Sequence, residues 1–271
     1  GASALMMNLL PDAASVHAAG IDQIISIVHW LMAVLFVGWG AFFIYVLFRF
    51  RQGRNPRADY IGVKSKLSTW LEVALAVVEA VLLIGFAIPS WAERVDQRPP
   101  EEESTVVRVV AQQFAWNIWY PGADGVFGNQ DIMLVDEVTN PLGLVRSGHG
   151  ADDITTINQM HLPVDKPAIV HISSKDVIHS FNLPQMRIKQ DAIPGLQIPV
   201  WFIPNVTTAE MRIRKGDEDY NYEIACAQLC GNSHYSMRGF LTIDTAEEYQ
   251  EWLDLEATYL VGGDEDDFWA E

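Results

Sequence analysis

From Ile24 to Phe48 the chain carries no Asp, Glu, Lys or Arg, and apolar side chains fall on every face of the helix such a run would form. That length exceeds the ~20 residues a bilayer-spanning helix needs, so the pattern predicts a transmembrane helix over about 22–49. A second run, Leu67 to Ile88, is free of charge apart from Glu72 and Glu79 and ends at Pro89, with Trp91 as an interfacial anchor. It predicts a second helix over about 67–89. Soluble core helices rarely stay apolar on all faces for so long. The connecting loop holds Arg49, Arg51, Arg54, Arg57, Lys64 and Lys66 against Asp59. The positive-inside rule therefore makes the loop cytoplasmic and puts everything after the hairpin on the outer side, periplasmic or extracellular.

Glu72 and Glu79 are seven residues apart and share one helix face. Carboxylates inside a bilayer are costly unless they face protein or water, so the hairpin is expected to pack against a larger membrane protein. Glu72, near the cytoplasmic end, is placed to accept protons from that side, whereas Glu79 is deep; the alternative for both is a structural pairing with polar groups on a partner helix.

After Trp91 the pattern changes. Glu93 to Ser104 is charged and contains Pro99 and Pro100, as a linker would. Beyond it come short β-branched and aromatic runs bounded by Gly, Pro, Asn or Asp: Thr105 to Ala111, Ala168 to Ser173, Val200 to Pro204, Glu210 to Arg214, Tyr220 to Ala225 and Gly239 to Asp244. These read as strands of a compact antiparallel β-sandwich. Pro121 to Asp153, rich in Gly and Asp, reads as a long excursion, and Ala246 to Leu260 has helical spacing. The expected organisation is a membrane segment over 1–92, a linker over 93–104, a β-domain over 105–245, and a helix with an acidic tail over 246–271. Phe114, Trp116, Trp119 and Tyr120 cluster after the first strand, either as core or as a docking surface.

Charge sharpens this division. Of 271 residues, 18 are Lys or Arg and 35 are Asp or Glu. The first 92 residues hold six basic and five acidic groups, leaving twelve of the 18 and thirty of the 35 in the remainder. The outer part is thus the acidic one. Its field repels nucleic acid and attracts basic partners, or serves solubility alone. No basic stretch with a short apolar core opens the chain; because it starts at Gly1, N-terminal processing is expected.

The only two cysteines lie in Cys226-Ala227-Gln228-Leu229-Cys230-Gly231-Asn232-Ser233-His234-Tyr235-Ser236-Met237. Two thiols, an imidazole and a thioether in so short a span favour copper. A Cys226–Cys230 disulfide suits an oxidising compartment but leaves His234 and Met237 unused. Zinc held by two thiolates and two imidazoles has no need of Met237. A mononuclear blue-copper site uses Cys230, His234, Met237 and one distant histidine, leaving Cys226 spare; a second thiolate instead permits two sulfurs to bridge two metals. For the distant histidine, His17 and His29 lie in or before the first helix and His149 in the excursion, so His161, His171 and His179 remain. His179 follows an expected strand among apolar neighbours, a setting that also suits a core histidine. There is no Cys-x-x-Cys-His, hence no attached c-type haem.

Together these features resemble subunit II of the haem-copper cytochrome c oxidases over almost the whole chain. That family has a two-helix transmembrane hairpin followed by an all-β cupredoxin domain, a Greek-key β-sandwich. Its Cys-x-x-x-Cys-x-x-x-His-x-x-Met motif is met by Cys226, Cys230, His234 and Met237, and its upstream signature by Ser174-Lys175-Asp176-Val177-Ile178-His179-Ser180 and Lys189-Gln190-Asp191-Ala192-Ile193-Pro194-Gly195. The resemblance implies a dinuclear copper centre, CuA, bridged by Cys226 and Cys230. His179 and His234 would each complete one copper, with Met237 and the backbone carbonyl of Gln228 as weak axial ligands. The family usually has Glu at position 228, whose side chain reaches a magnesium ion; a neutral amide is a poorer ligand, so magnesium is not assigned.

The family's electron-entry tryptophan aligns with Phe114, which leaves Trp116, Trp119 or Tyr120 as entry rings. Glu72 matches the glutamate at the mouth of a proton channel. Leu75 and Glu79 stand where the family has Trp and Pro, and Glu79 takes no role from the resemblance. The implied function is electron transfer from cytochrome c, or a cytochrome c domain of another subunit, to haem in catalytic subunit I, where oxygen is reduced to water. The implied setting is a bacterial inner membrane, with the copper domain periplasmic and other membrane subunits alongside. The alternatives are the copper subunit of a nitric oxide reductase, which has the same architecture, and a membrane-tethered copper carrier, which would hold one exchangeable copper. A quinol oxidase subunit would lack the copper ligands.

Overall fold

A computed structural model describes residues 10–57, 60–62 and 64–261. Asp59, expected to oppose the loop cations, and the acidic tail of residues 262–271 lie outside the described residues. The chain forms two units: a helical one containing Gly20–Gln97, and an outer one in which Pro11–Ala19 joins the residues from Arg98 onward.

In the helical unit, α1 (Ala18–Arg49) begins four residues before the expected start. Its most apolar window has mean hydropathy 2.3, and that of the second span, Leu67–Asp96, reaches 2.4; neither window is buried within the chain. Apolar surface on that scale needs lipid or another protein to cover it. The second span consists of α2 (Leu67–Leu82), a π-helical turn (Leu83–Ala87) and α3 (Ile88–Asp96). Pro89 does not end the helix, contrary to expectation. It sits in the first turn of α3, where a missing N–H is least costly, and Ile88 N–H bonds back five residues to the Leu83 carbonyl. Glu93 to Asp96 are therefore helical, and the expected linker is shortened at its start.

The outer unit is a two-sheet sandwich. One sheet has the order β3 (Ile154–Ile157), β2 (Ala115–Tyr120), β1 (Thr105–Gln112), β5 (Ala168–Ser174), β8 (Ile198–Phe202). The other has the order β4 (Gln159–Pro163), β10 (Arg238–Asp244), β9 (Tyr222–Cys226), β6 (His179–Leu183), β7 (Ile188–Ala192). The pairs β1–β5 and β4–β10 are parallel, which corrects the purely antiparallel expectation. Burial alternates along β1, so Val107, Val109 and Ala111 face the inner core with Met160, Leu162, Phe181, Ile224 and Leu241. On the other face, Trp119 with Leu142 and Leu144 of the excursion forms a satellite core. This is why β2 is buried on both faces.

Glu210 to Arg214, expected as a strand, is helical in α4 (Thr208–Lys215). A capping box between Thr207 and Glu210 starts it and left-handed Gly216 ends it. The expected C-terminal helix is α5 (Ala246–Val261). Ahead of α1, Ala14 N–H donates to the Gln185 carbonyl (2.9 Å), Val16 N–H to that of Ile203 (3.0 Å), and Ser15 Oγ to that of Met186 (2.8 Å). Asp12 pairs with Lys215. The chain thus leaves the outer unit to form α1 and returns to it after α3.

Candidate metal centre

Antiparallel pairing of β9 with β10, Ala225 opposite Arg238, fixes both ends of the loop 227–237. Cys226 N–H donates to the Met237 carbonyl at 3.3 Å, which closes the loop on itself. A 3₁₀ turn at His234–Ser236 turns the His234 ring back toward Cys230. The neighbouring strand β6, with Phe181 opposite Cys226, begins at His179 and so delivers that ring to the same end of the sheet.

The candidate ligand atoms form a connected set. His179 Nδ1 is 3.9 Å from Cys226 Sγ, the two sulfurs are 3.8 Å apart, and Cys230 Sγ is 3.5 Å from His234 Nδ1 and 3.8 Å from Met237 Sδ. The Gln228 carbonyl lies 3.2 Å from Cys226 Sγ while its side chain is exposed. His179, Cys230 and Met237 are buried. Bonds of about 2.0–2.3 Å from a tetrahedral metal to nitrogen and sulfur put neighbouring ligands roughly 3.3–3.8 Å apart, so these residues fit a metal with little movement. A disulfide needs about 2.05 Å, and both cysteines are free. His179, Cys226 and Cys230 have ligand atoms all within 4.8 Å of one another, a set that does not include His234.

Asp176 orders the first histidine. Its Oδ1 is 2.8 Å from His179 Nε2, and its carboxylate accepts from the N–H groups of Gln113 and Val177, both at 2.7 Å. Burial opposes ionisation of Asp176, but these hydrogen bonds outweigh it and hold the carboxyl below its ordinary range. A carboxylate only accepts, so Nε2 carries the proton and Nδ1 turns its lone pair to Cys226. Burial, followed by the hydrogen bond and charge of Cys226, pushes the Cys230 thiol up to about 11. Thiolate ligation therefore displaces a proton at neutral pH.

The other candidate histidines are occupied elsewhere. His161 Nδ1 is 2.7 Å from Asp244 Oδ2 and its ring stacks on Trp252; His171 lies 3.6 Å from Glu101. Of the candidate entry rings, Trp116 meets the His179 ring edge-on, with centroids 6.2 Å apart. Trp119 instead lies under Arg108 beside Phe127, and Tyr120 packs on Trp252. All three are buried, at 0–2% exposure, so none offers a docking face. The half-buried ring is Phe114, whose edge would lie 3.0 Å from a Cβ on Gly231. Glu72 and Glu79 are exposed on α2 of the helical unit. Among the described residues no second group of His, Cys, Asp or Glu gathers three ligand atoms. Sequence reasoning passed over Asp176 and Gln113 as individuals; the tight Asp-x-x-His spacing was the available signal for the first.

Residues 105–243 match the model for the cytochrome c oxidase subunit II periplasmic domain. The alternative cytochrome c oxidase subunit 2 of Bradyrhizobium diazoefficiens is 34% identical over 242 residues, covering 88% of this chain and 81% of the relative. The heme-copper oxidase subunit 2 of Aeropyrum pernix is 27% identical over 240 residues, covering 81% and 86%. The crystal structure of the periplasmic domain of cytochrome oxidase subunit II from Bradyrhizobium japonicum is 25% identical, covers 60% of this chain and 98% of that one, and superposes with a TM-score of 0.41. With the membrane spans, the sandwich and the ligand loop in place, the chain belongs to the cytochrome c oxidase subunit II family, a part of the haem-copper oxidases.

Proposed function

We propose that this subunit is the electron entry of an oxygen-reducing oxidase, taking electrons from cytochrome c and relaying them to haem in the catalytic subunit. A dinuclear copper centre would supply a one-electron carrier. The observation that carries this reading is the position of the two imidazoles: His179 approaches Cys226 and His234 approaches Cys230, with the sulfurs 3.8 Å apart between them. Four ligands on one zinc would all be mutual neighbours, whereas His234 stands outside the mutually close set. Cys226, Cys230, His179, His234 and Met237 would together hold a dinuclear copper centre, which would use every side chain of the set.

The remaining residues set the conditions for fast transfer. Asp176 fixes the His179 tautomer, Trp116 keeps water from that ring, and the buried Cys230 and Met237 give a dry environment. Because hydrogen bonds and packing from ordered neighbours hold the ligand side chains, a change of charge need move little. The acidic outer unit favours a basic donor, and Phe114 replaces the buried rings as the aromatic that reaches the surface beside the ligand loop. Glu72 is assigned to proton uptake from the cytoplasmic side of a bacterial inner membrane. The test is oxygen consumption by the purified complex with reduced cytochrome c. Turnover that falls as ionic strength rises, and that Cys226→Ser abolishes, supports the reading; turnover unaffected by Cys226→Ser overturns it.

A further inference from the structure

The candidate ligands all come from the sheet containing β6, β9 and β10, yet Gln113 of the opposite sheet hydrogen-bonds both to Cys230 itself and to Asp176, which holds His179. This residue sits in the turn between β1 and β2. Its backbone N–H donates to Asp176 Oδ2 at 2.7 Å, the carboxylate whose other oxygen holds His179. Its side-chain Nε2 donates to the Cys230 carbonyl at 2.5 Å. Cys230 is the hub of the set, since its sulfur neighbours those of Cys226 and Met237 as well as the His234 ring. The next residue, Gly231, has φ 139°, and a Cβ there would stand 2.8 Å from Gln113 Nε2. Glycine therefore leaves the space in which the amide reaches the carbonyl.

We propose that Gln113 is a positioning residue of the metal centre: one side chain and one backbone N–H of the β1–β2 turn clamp the Cys230 loop and the His179–Asp176 pair in register. The clamp rests on the copper reading only for its effect on the metal; its effect on the loop is independent of metal. The backbone bond survives any substitution at this position except proline, so side-chain variants isolate the bond to Cys230. Gln113 is exposed, which makes it open to replacement without leaving a core cavity.

The test uses the full-length chain in detergent, with Gln113→Leu and Gln113→Glu removing the donor and Gln113→Lys keeping one. In the metal-free chain, amide hydrogen exchange across residues 230–236 is expected to rise about fivefold in the Leu and Glu variants, the effect of losing one hydrogen bond, and to stay near wild type in the Lys variant. After copper loading, the Leu and Glu variants are expected to surrender metal to a chelator about fivefold faster and to show an altered hyperfine pattern. Wild-type exchange, chelation rate and spectrum in the Leu variant would overturn the proposal, and so would a Lys variant that behaves like Leu. Should the wild-type chain hold no spin-sharing copper pair, the proposed function falls, and the exchange comparison still decides the clamp.

Discussion

Asp176 Oδ1 stands 2.8 Å from His179 Nε2, so the carboxylate settles which imidazole nitrogen faces Cys226. A partner of this kind is worth about 10–100-fold in metal affinity. Asp176→Asn keeps the shape and removes the charge, and it is expected to raise copper loss to a chelator by about that factor while leaving the β-sandwich folded by circular dichroism.

The Gln228 side chain is exposed and its carbonyl faces Cys226. Only the backbone is then needed. Gln228→Ala is expected to retain the wild-type copper content and spectrum; a lost or single-copper spectrum would show that the amide itself takes part.

Much of this arrangement is legible in the sequence, because the chemistry is local. The candidate ligands Cys226, Cys230, His234 and Met237 fall on the end of β9 and the loop that follows it, and apolar runs of the length seen in α1 have few alternatives to a bilayer. What failed to show was non-local or hidden by composition. His179 could be singled out among three histidines only by resemblance, since the pairing of β6 with β9 that brings it to the loop has no sequence period of its own. Strands β6 and β7 contain Asn182, Lys189, Gln190 and Asp191, which mask a period of two. In α4 the β-like alternation of Met211, Ile213 and their charged neighbours outweighed the Thr207-x-x-Glu210 box, although the box decides the structure. Trp119 is buried by the excursion that covers the outer face of β2, while Trp116 and Tyr120 are buried in the core between the sheets, and no residue of that strand announces which side each ring takes.

Glu248 Oε2 accepts from both the N–H and the hydroxyl of Thr245 at 2.9 Å at the start of α5. The backbone bond first, then the hydroxyl, holds the carboxyl below its ordinary range. A depressed carboxyl contributes stability above its unfolded pKa and loses it as pH falls through the lower folded value. Docking of α5, followed through Trp252 fluorescence, is therefore expected to weaken in acid below about pH 4.5. Glu248→Gln should remove that acid-dependent step.

Arg49 at the end of α1 and Arg51, Arg54 and Arg57 in the loop between α1 and α2 make this end of the hairpin cationic, so it is expected on the cytoplasmic face. Alkaline phosphatase fused after Arg57 should be inactive, and fused after Gln97 active. The opposite pattern would reverse the outer unit's side.

The most direct measurement is electron paramagnetic resonance with metal analysis on the copper-loaded full-length chain. Two coppers per chain sharing one unpaired electron, collapsing in Cys226→Ser to a single centre or none, is the predicted result. One copper with an ordinary single-centre spectrum in the wild-type chain would contradict the proposed electron-entry centre.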